Sequence, residues 1–474
     1  MRELSQWELA IHTLSRSWGH WFESRTPVGA WMSDDGLTCA ILMEQENSKF
    51  GCMVMRRRVD SVWTVTKEQY ELSTRGAAEE AIHPYLQSGM PPEPVPSGVA
   101  SRPPLYKLGE RPPSDIFRFL ANPSHAPAGW TLNQLYLALP HPDKNWASDC
   151  QTSNFHTRLW EAHLLACFRE QGLLVEQPYE SPDFRIENFA GDVAWVEAVT
   201  ANPPKRYNHF NAAPTEIPTE REELFFGRAA LRFAKTIGNK LERPYEQLPH
   251  VCGYPFVLAV ADFQEPRSML WSREGLIGYL YGQGATVEKI NGQMRAVPTY
   301  ATTLLGPSAF PAGLFSDDRA SKLSAVIFTN ACSIGKLNRV AVSGQGAPKG
   351  YRYTRRGKFW DHSPGALKGI PFCMDITSDE YRALWPQGYE PWCAELEVFH
   401  NPFAEHALSL KLLPMATHWL LQDGERIGLK FYTTSILWSE TCIQSSSKPP
   451  LTLDSFVNCK NMEDNEIISS NDEV

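Results

Sequence analysis

The chain of 474 residues is long enough for two to four domains and for a core that needs no disulfide or metal staple. Hydrophobic residues at 42% and charged residues at 21% exclude a disordered or fibrous chain. A formal net charge of −9 excludes a general coating of positive potential, so contact with nucleic acid has to come from local basic patches. The 10 Cys are scattered without a CxxC pair and read as buried free thiols. No uncharged apolar run approaches about 18 residues, and the first 21 residues lack the apolar core of a secretion signal. No membrane partner is therefore expected, and a reducing cytoplasm is the expected compartment.

Leu4, Trp7, Leu9, Ile11, Leu14 and Trp18 have helical spacing, and strands are predicted at 30–32, 37–43, 50–59 and 62–65 with turns at Asp35-Gly36 and Asn47-Ser48. Residues 1–90 therefore read as a small β-rich N-terminal domain. Its Trp residues at 7, 18, 21, 31 and 63 fall about one to an element, which favours core packing over base stacking. Arg56, Arg57 and Arg58 sit in a strand, so they alternate faces and form no single patch. The Pro-rich composition that begins at Pro91 predicts an extended linker over 91–130.

Order returns in the middle third. Leu159, Trp160, Leu164, Cys167 and Phe168 predict an amphipathic helix over 155–171, stopped by Gly172, with Glu161 beside its apolar stripe. Strands are predicted at 173–176, 183–186 and 193–200, with Asn188 and Gly191 turning the last two. Asp183 opens one strand and Glu197 lies in the middle of the next. A carboxylate in so apolar a strand needs a cation or a hydrogen-bond partner. Asp183, Glu197 and the Ala198 carbonyl suit a hard divalent ion, Mg²⁺ or Mn²⁺, which takes one or two carboxylates plus water and phosphate oxygens. The bland alternative is that Asp183 caps a turn and Glu197 pairs with Arg185 or Lys205. A further helix is predicted over 224–241, with Lys235 and Lys240 flanking its apolar stripe, followed by a strand at 255–261.

The helix bearing Glu161, the Pro182-Asp183 strand and the Glu197 strand resemble the PD-(D/E)xK nuclease superfamily. That resemblance implies a restriction-endonuclease-like α/β core, with a mixed central sheet flanked by helices, over 150–265. It also implies metal held by Asp183 and Glu197, with Glu161 assisting. The sequence departs from the family at Val199, where the catalytic Lys is expected. Some members carry that Lys on the following helix, and the run LRFAKTIGNKLERPY, which contains Leu231, Arg232, Lys240 and Tyr245, is similar to a group of uncharacterised bacterial proteins with a suspected nuclease core. Lys240 is accordingly the expected catalytic Lys, with Lys235 the other candidate and Arg232 a phosphate contact.

Residues 266–445 carry mixed signals and are expected to form an α/β C-terminal extension packed on the core. The stretches LSAVIFTNACSIGKLNRVAV and EVFHNPFAEHALSL continue the same resemblance. They offer Lys336 and Arg339 as phosphate contacts, and His400 with Asn401 at a strand end. A turn with a satisfied histidine is the plainer account of the latter. Lys349, Arg352, Arg355, Arg356 and Lys358, interleaved with aromatics, form the best local candidate for a nucleic-acid surface. His156 and His163 lack a third zinc ligand and read as helix-surface histidines. Residues 446–474 read as a disordered acidic tail, since Met462 to Val474 carries five acids and no Lys or Arg.

These readings lead to a metal-dependent nuclease acting on DNA or RNA. What the resemblance implies extends to defence against foreign DNA or phage, alone, as a homo-oligomer or with a partner protein. The rival is an inactive nuclease-like module that binds nucleic acid or protein. Glycoside hydrolysis by the two carboxylates is disfavoured because a neighbouring Lys has no role in it.

Overall fold

The computed structural model describes residues 1–15, 25–202, 216–306, 310–363, 366, 369–453 and 468–470. Ser5 opens the first helix, α1 (Gln6–Thr13). Its hydroxyl accepts the Glu8 N–H while the Glu8 carboxylate accepts the Ser5 N–H, which forms a capping box. Strands β1 (Arg2–Glu3), β2 (Arg25–Met32), β3 (Thr38–Gln45), β4 (Phe50–Arg57) and β5 (Trp63–Leu72) form an antiparallel sheet in that order. Ile41, Met43, Met53 and Met55 pack with Leu4 and Trp63 on one face, while Ala40, Cys52 and Val54 meet Ile82 of α2 (Arg75–Ile82) on the other. Trp7 instead joins the main core with Ile11 and Leu14, 5.6 Å from the ring of Trp130. Trp7 and Trp63 are buried and Trp31 is half-buried, which leaves no exposed Trp platform here; Trp18 and Trp21 lie outside the described residues. Arg56, Arg57 and Arg58 diverge to Glu93 at 2.6 Å, Gln134 at 2.9 Å and Asp60 at 2.5 Å.

Residues 91–114 contain no helix and are laid along the protein. Arg102 donates to the carbonyls of Tyr136 at 2.5 Å and Leu139 at 2.9 Å, and Leu105 is buried. The linker expected to run to residue 130 ends earlier, because α3 (Asp115–Phe119) and α4 (Ala126–Ala138) follow. Pro127 suits the first turn of α4, whose Ala128, Leu132, Leu135 and Leu137 are all buried, so this helix is a central core element. After α5 (Trp146–Gln151) comes α6 (Phe155–Glu170).

The main sheet starts with β6 (Leu174–Glu176), β7 (Phe184–Glu187) and β8 (Val193–Ala201). Helices α7 (Arg221–Phe226) and α8 (Arg228–Leu241) then lead to β9 (Phe256–Asp262). The single helix expected over 224–241 is broken at Gly227, where a Cβ would fall on the Glu223 carboxylate that accepts the Arg228 N–H at 3.0 Å. Next come α9 (Arg273–Tyr281), the hairpin of β10 (Gln283–Ile290) and β11 (Gln293–Tyr300), β12 (Ala325–Thr329) and α10 (Ile334–Gln345). The chain continues through β13 (Tyr351–Phe359), β14 (Ile370–Asp375), α11 (Asp379–Arg382), β15 (Glu397–His400), β16 (Thr417–Gln422), β17 (Glu425–Leu429), β18 (Ile436–Ser445) and β19 (Ile468–Ser470).

Eight strands form one mixed sheet in the order β17-β16-β15-β12-β9-β8-β7-β6, with β8, β9 and β12 parallel. A mixed central sheet flanked by helices is the coarse architecture that the sequence predicts. The boundary at 265 is not observed: β12, β15, β16 and β17 complete the same sheet, so residues 266–445 do not form an extension packed on a finished core. The remaining strands make a smaller sheet, β14-β13-β18-β19. The acidic tail lies mostly outside the described residues; Ile468–Ser470 pairs with β18.

Strand alternation sorts β8 between two cores. Ala194, Val196 and Ala198 face the cluster of Leu159, Trp160 and Leu337 from α6 and α10, whereas Trp195 and Val199 face Phe225, Phe233 and Ile237 from α7 and α8. Each fully buried side chain of that size contributes about 1.5–3 kcal/mol. Both faces are therefore committed, and the register of β8 is fixed. Among the described residues no helix is long and apolar enough to cross a membrane.

Candidate active site

Strands β7 and β8 run antiparallel, with Phe184 opposite Val196 and Arg185 opposite Trp195. One further step of that register, just before β7 begins, sets Asp183 opposite Glu197. Glu197 is an odd residue of β8 and so projects beneath α8, where it is 5% exposed. Two groups satisfy it: Lys240 Nζ at 2.5 Å from Oε1, and the Ser181 hydroxyl, which donates to Oε2 at 3.2 Å. The alternative partner Arg185 is engaged by Glu176 at 3.1 Å and Glu187 at 2.6 Å, and Lys205 lies outside the described residues.

Asp183 Oδ2 accepts the Ala198 N–H at 2.7 Å. A strand residue sends its N–H and C=O to the same side, so the Ala198 carbonyl also leaves β8 toward Asp183 and away from β9. Burial, then the charges of Glu197 and Glu161, push the Asp183 carboxyl up to about 8; the Ala198 amide and Lys240 act in the opposite sense.

Glu161 reaches this neighbourhood from α6, on the other side of the sheet. It is buried, accepts the Trp146 indole N–H at 2.8 Å and pairs with Arg158 at 2.9 Å. Burial raises its pKa, and Arg158 opposes that rise. Its action on Asp183 is therefore through space, from a carboxylate that already has a cation. Among the described residues no group of three or more His, Cys, Asp or Glu could hold a metal ion. The oxygen set here is two carboxylates and one carbonyl.

The structure decides between the two lysines. Lys240 meets Glu197, whereas Lys235 is exposed and stands 5.8 Å from the Phe310 ring. Arg232 is half-buried and feels the charge of Asp262, at the end of β9, not that of Glu197. Val199, where the family places its Lys, packs at 5% exposure into the apolar cluster beneath α8.

Four residues join the site without having been singled out for it by the sequence. Ser181 precedes Pro182-Asp183 and could have been read from that position. Tyr245, in the 3₁₀ turn Tyr245–Gln247 after α8, is buried beside Glu197, and its hydroxyl forms no well-shaped hydrogen bond among the described residues. Burial and Glu197 push its pKa up to about 12. His250 Nε2 lies 3.1 Å from the Ser181 carbonyl, and Tyr179 stacks on the His250 ring at 3.8 Å. No sequence signal marks either of these two.

The other expected contacts lie elsewhere. Lys336 and Arg339 are enclosed in an ion network: Lys336 Nζ meets Glu390 at 2.8 Å, and Arg339 meets the same carboxylate at 3.0 Å. At 0% and 3% side-chain exposure they cannot touch a phosphate, and the expectation is corrected. Arg355 joins this network through Glu395, and Arg356 pairs with Glu440 at 2.5 Å, so the basic run on β13 is largely neutralised. His400 hydrogen-bonds His418 at 2.8 Å, while Asn401 donates to the carbonyls of Ala320 and Leu323 at 2.9 Å each, a satisfied turn. His163 is buried beside Trp160 rather than on the helix surface, and burial lowers its pKa to about 3. A separate cleft includes Trp360, Glu397, Trp419 and Lys430 in its lining. Its Glu397 is satisfied by Arg273 at 2.6 Å and 2.5 Å and by Trp419 at 2.5 Å.

Asp183, Glu197, Lys240 and Tyr245 thus converge at this site, with the Asp183 pKa raised and the Tyr245 hydroxyl without a well-shaped hydrogen bond among the described residues. No protein family model, curated protein or solved structure matches the chain.

Proposed function

We propose that the chain is a metal-dependent nuclease with a PD-(D/E)xK-like core that hydrolyses phosphodiester bonds in nucleic acid at Asp183, Glu197 and Lys240. The observation that carries this reading is the convergence of an Asp just before β7, a Glu on the neighbouring β8 and a Lys from the following helix. The donor set of two carboxylates and a backbone carbonyl fits a hard divalent ion: Asp183, Glu197 and the Ala198 carbonyl would hold Mg²⁺ or Mn²⁺. When bound, that ion supplies Lewis-acid stabilisation and acidifies a water.

The chain's own groups do the rest. Lys240, anchored on Glu197 and 23% exposed, orients the attacking water and places positive charge beside the scissile phosphate. Glu161, from beyond the sheet, adds to the burial and the Glu197 charge that raise the Asp183 pKa. Val199 and the partnered state of Glu197 favour a second reading, a module that binds nucleic acid without cutting it. Defence against foreign DNA rests on the family resemblance alone. The test is plasmid and single-strand cleavage with Mg²⁺ or Mn²⁺ by the native protein, Glu197→Ala and Lys240→Ala. Metal-dependent cutting lost in both variants supports the nuclease; cutting that survives Glu197→Ala removes this site.

A further inference from the structure

We propose that Tyr179 is a stacking platform for one unpaired base of a nucleic-acid strand whose neighbouring phosphate lies at Asp183 and Glu197. This rests on the nuclease reading of that pair and adds the substrate class, single-stranded or locally unpaired nucleic acid. Tyr179 is 52% exposed, yet its ring is not loose. One face lies flat on His250, with centroids 3.8 Å apart and planes 13° apart. His250 is in turn fixed by the Ser181 carbonyl and by the edge of Trp195, 4.8 Å away. Trp195 is buried, two residues before Glu197 on the same face of β8. The inner face of the tyrosine is therefore occupied, and its outer face is open to solvent in a set orientation.

The platform is tied to the chemistry by a short segment. Tyr179, Ser181 and Asp183 are alternate residues, and four residues of chain span at most about 14 Å. Ser181 bonds Glu197 directly, which links this segment to the carboxylate. Cations near the carboxylates are Lys240, on Glu197, and exposed Arg243, beside the Tyr245 hydroxyl. A ring of this kind stacks on any base with a free face. In a duplex both faces of each base are covered by neighbours, and a base reaches such a ring only after extrusion. A fixed open ring beside the carboxylates therefore favours unpaired strands.

The test titrates a fluorescent single-stranded DNA oligonucleotide and its duplex into full-length native protein, Tyr179→Ala and Tyr179→Phe, in EDTA so that no strand is cut. Tyr179→Ala is expected to weaken single-strand binding about 10- to 100-fold. Tyr179→Phe, which keeps the ring, is expected to bind as the native protein does, and duplex affinity is expected to change less than about twofold. Equal single-strand affinity in native protein and Tyr179→Ala, or no single-strand binding by the native protein, overturns the platform. Cleavage with Mg²⁺ separates the two readings. Ring-dependent binding without any cutting keeps the platform and removes the nuclease; cutting that is identical in Tyr179→Ala keeps the nuclease and removes the platform.

Discussion

Lys240 Nζ stands 2.5 Å from Glu197 Oε1, although 43 residues separate the two and they belong to a helix and a strand. The pair closes α8 onto β8 where the sheet would otherwise bury a bare carboxylate. Lys240→Met is therefore expected to cost about 2–3 kcal/mol in urea unfolding, somewhat less than the 3–5 of a fully buried pair because the ammonium reaches solvent. Cleavage by the folded fraction is expected to fall at least about 100-fold. Full activity in Lys240→Met would take the ammonium out of the mechanism.

In the proposed PD-(D/E)xK-like site a lysine would act from position 199, but Val199 packs into the apolar cluster beneath α8. Val199→Lys should force an ammonium into that cluster and destabilise the protein by about 3 kcal/mol or more. It should also fail to restore cutting to Lys240→Met. Recovery of activity in the double variant would show that the site accepts its lysine from either element.

Glu390 is surrounded by Lys336, Arg339 and Arg355, with Glu395 as the second carboxylate, and these three cations hold its carboxyl far below the usual range. Glu390→Gln leaves buried positive charge uncompensated and is expected to cost about 3–5 kcal/mol. Thermal unfolding measures the loss. Cleavage per folded molecule should be unchanged, because none of these groups touches Asp183, Glu197 or Lys240.

Burial, with Lys336 and Arg339 nearby, lowers the His163 pKa to about 3. An unfolded histidine titrates near 6.5, so below that pH the unfolded chain takes up a proton that the folded chain refuses. Stability contributed by neutral His163 is thus present above about pH 6.5 and is lost as pH falls toward 3. The slope is about 1.4 kcal/mol per pH unit, or about 2 kcal/mol between pH 6.5 and 5. Carboxyls with raised pKa, Asp183 among them, titrate with the opposite sign, so the informative quantity is a difference. Urea unfolding of the native protein and His163→Phe at both pH values should show that the native protein loses about 2 kcal/mol more. Parallel losses would mean that His163 is already charged when folded.

Much of the local structure was legible because periodicity reports which face of an element is apolar. The helix bearing Glu161, the strand bearing Glu197 and the Pro182-Asp183 start were read within a residue or two of α6, β8 and β7. The two carboxylates stood out because a charge in an apolar strand is costly without a partner. The apparent linker was misjudged past residue 114, since proline content says nothing of α4 and its burial.

Sequence alone pointed to an Asp at the start of one strand and a Glu within the next, with two candidate lysines on the following helix; Asp183 lies just before β7, and Glu197 is on β8. Only the tertiary structure decided that Lys240 meets Glu197 while Lys235 faces Phe310, because the two flank the apolar stripe of α8 about 140° apart and the stripe itself does not say which flank meets the carboxylates. It likewise decided that Lys336 and Arg339 are enclosed by Glu390, and that β12, β15, β16 and β17 complete the sheet begun by β6 to β9. Local patterning encodes the faces of single elements. Which charges meet, and which strands lie side by side, depend on contacts between residues far apart in the chain, and no short window of sequence contains both partners.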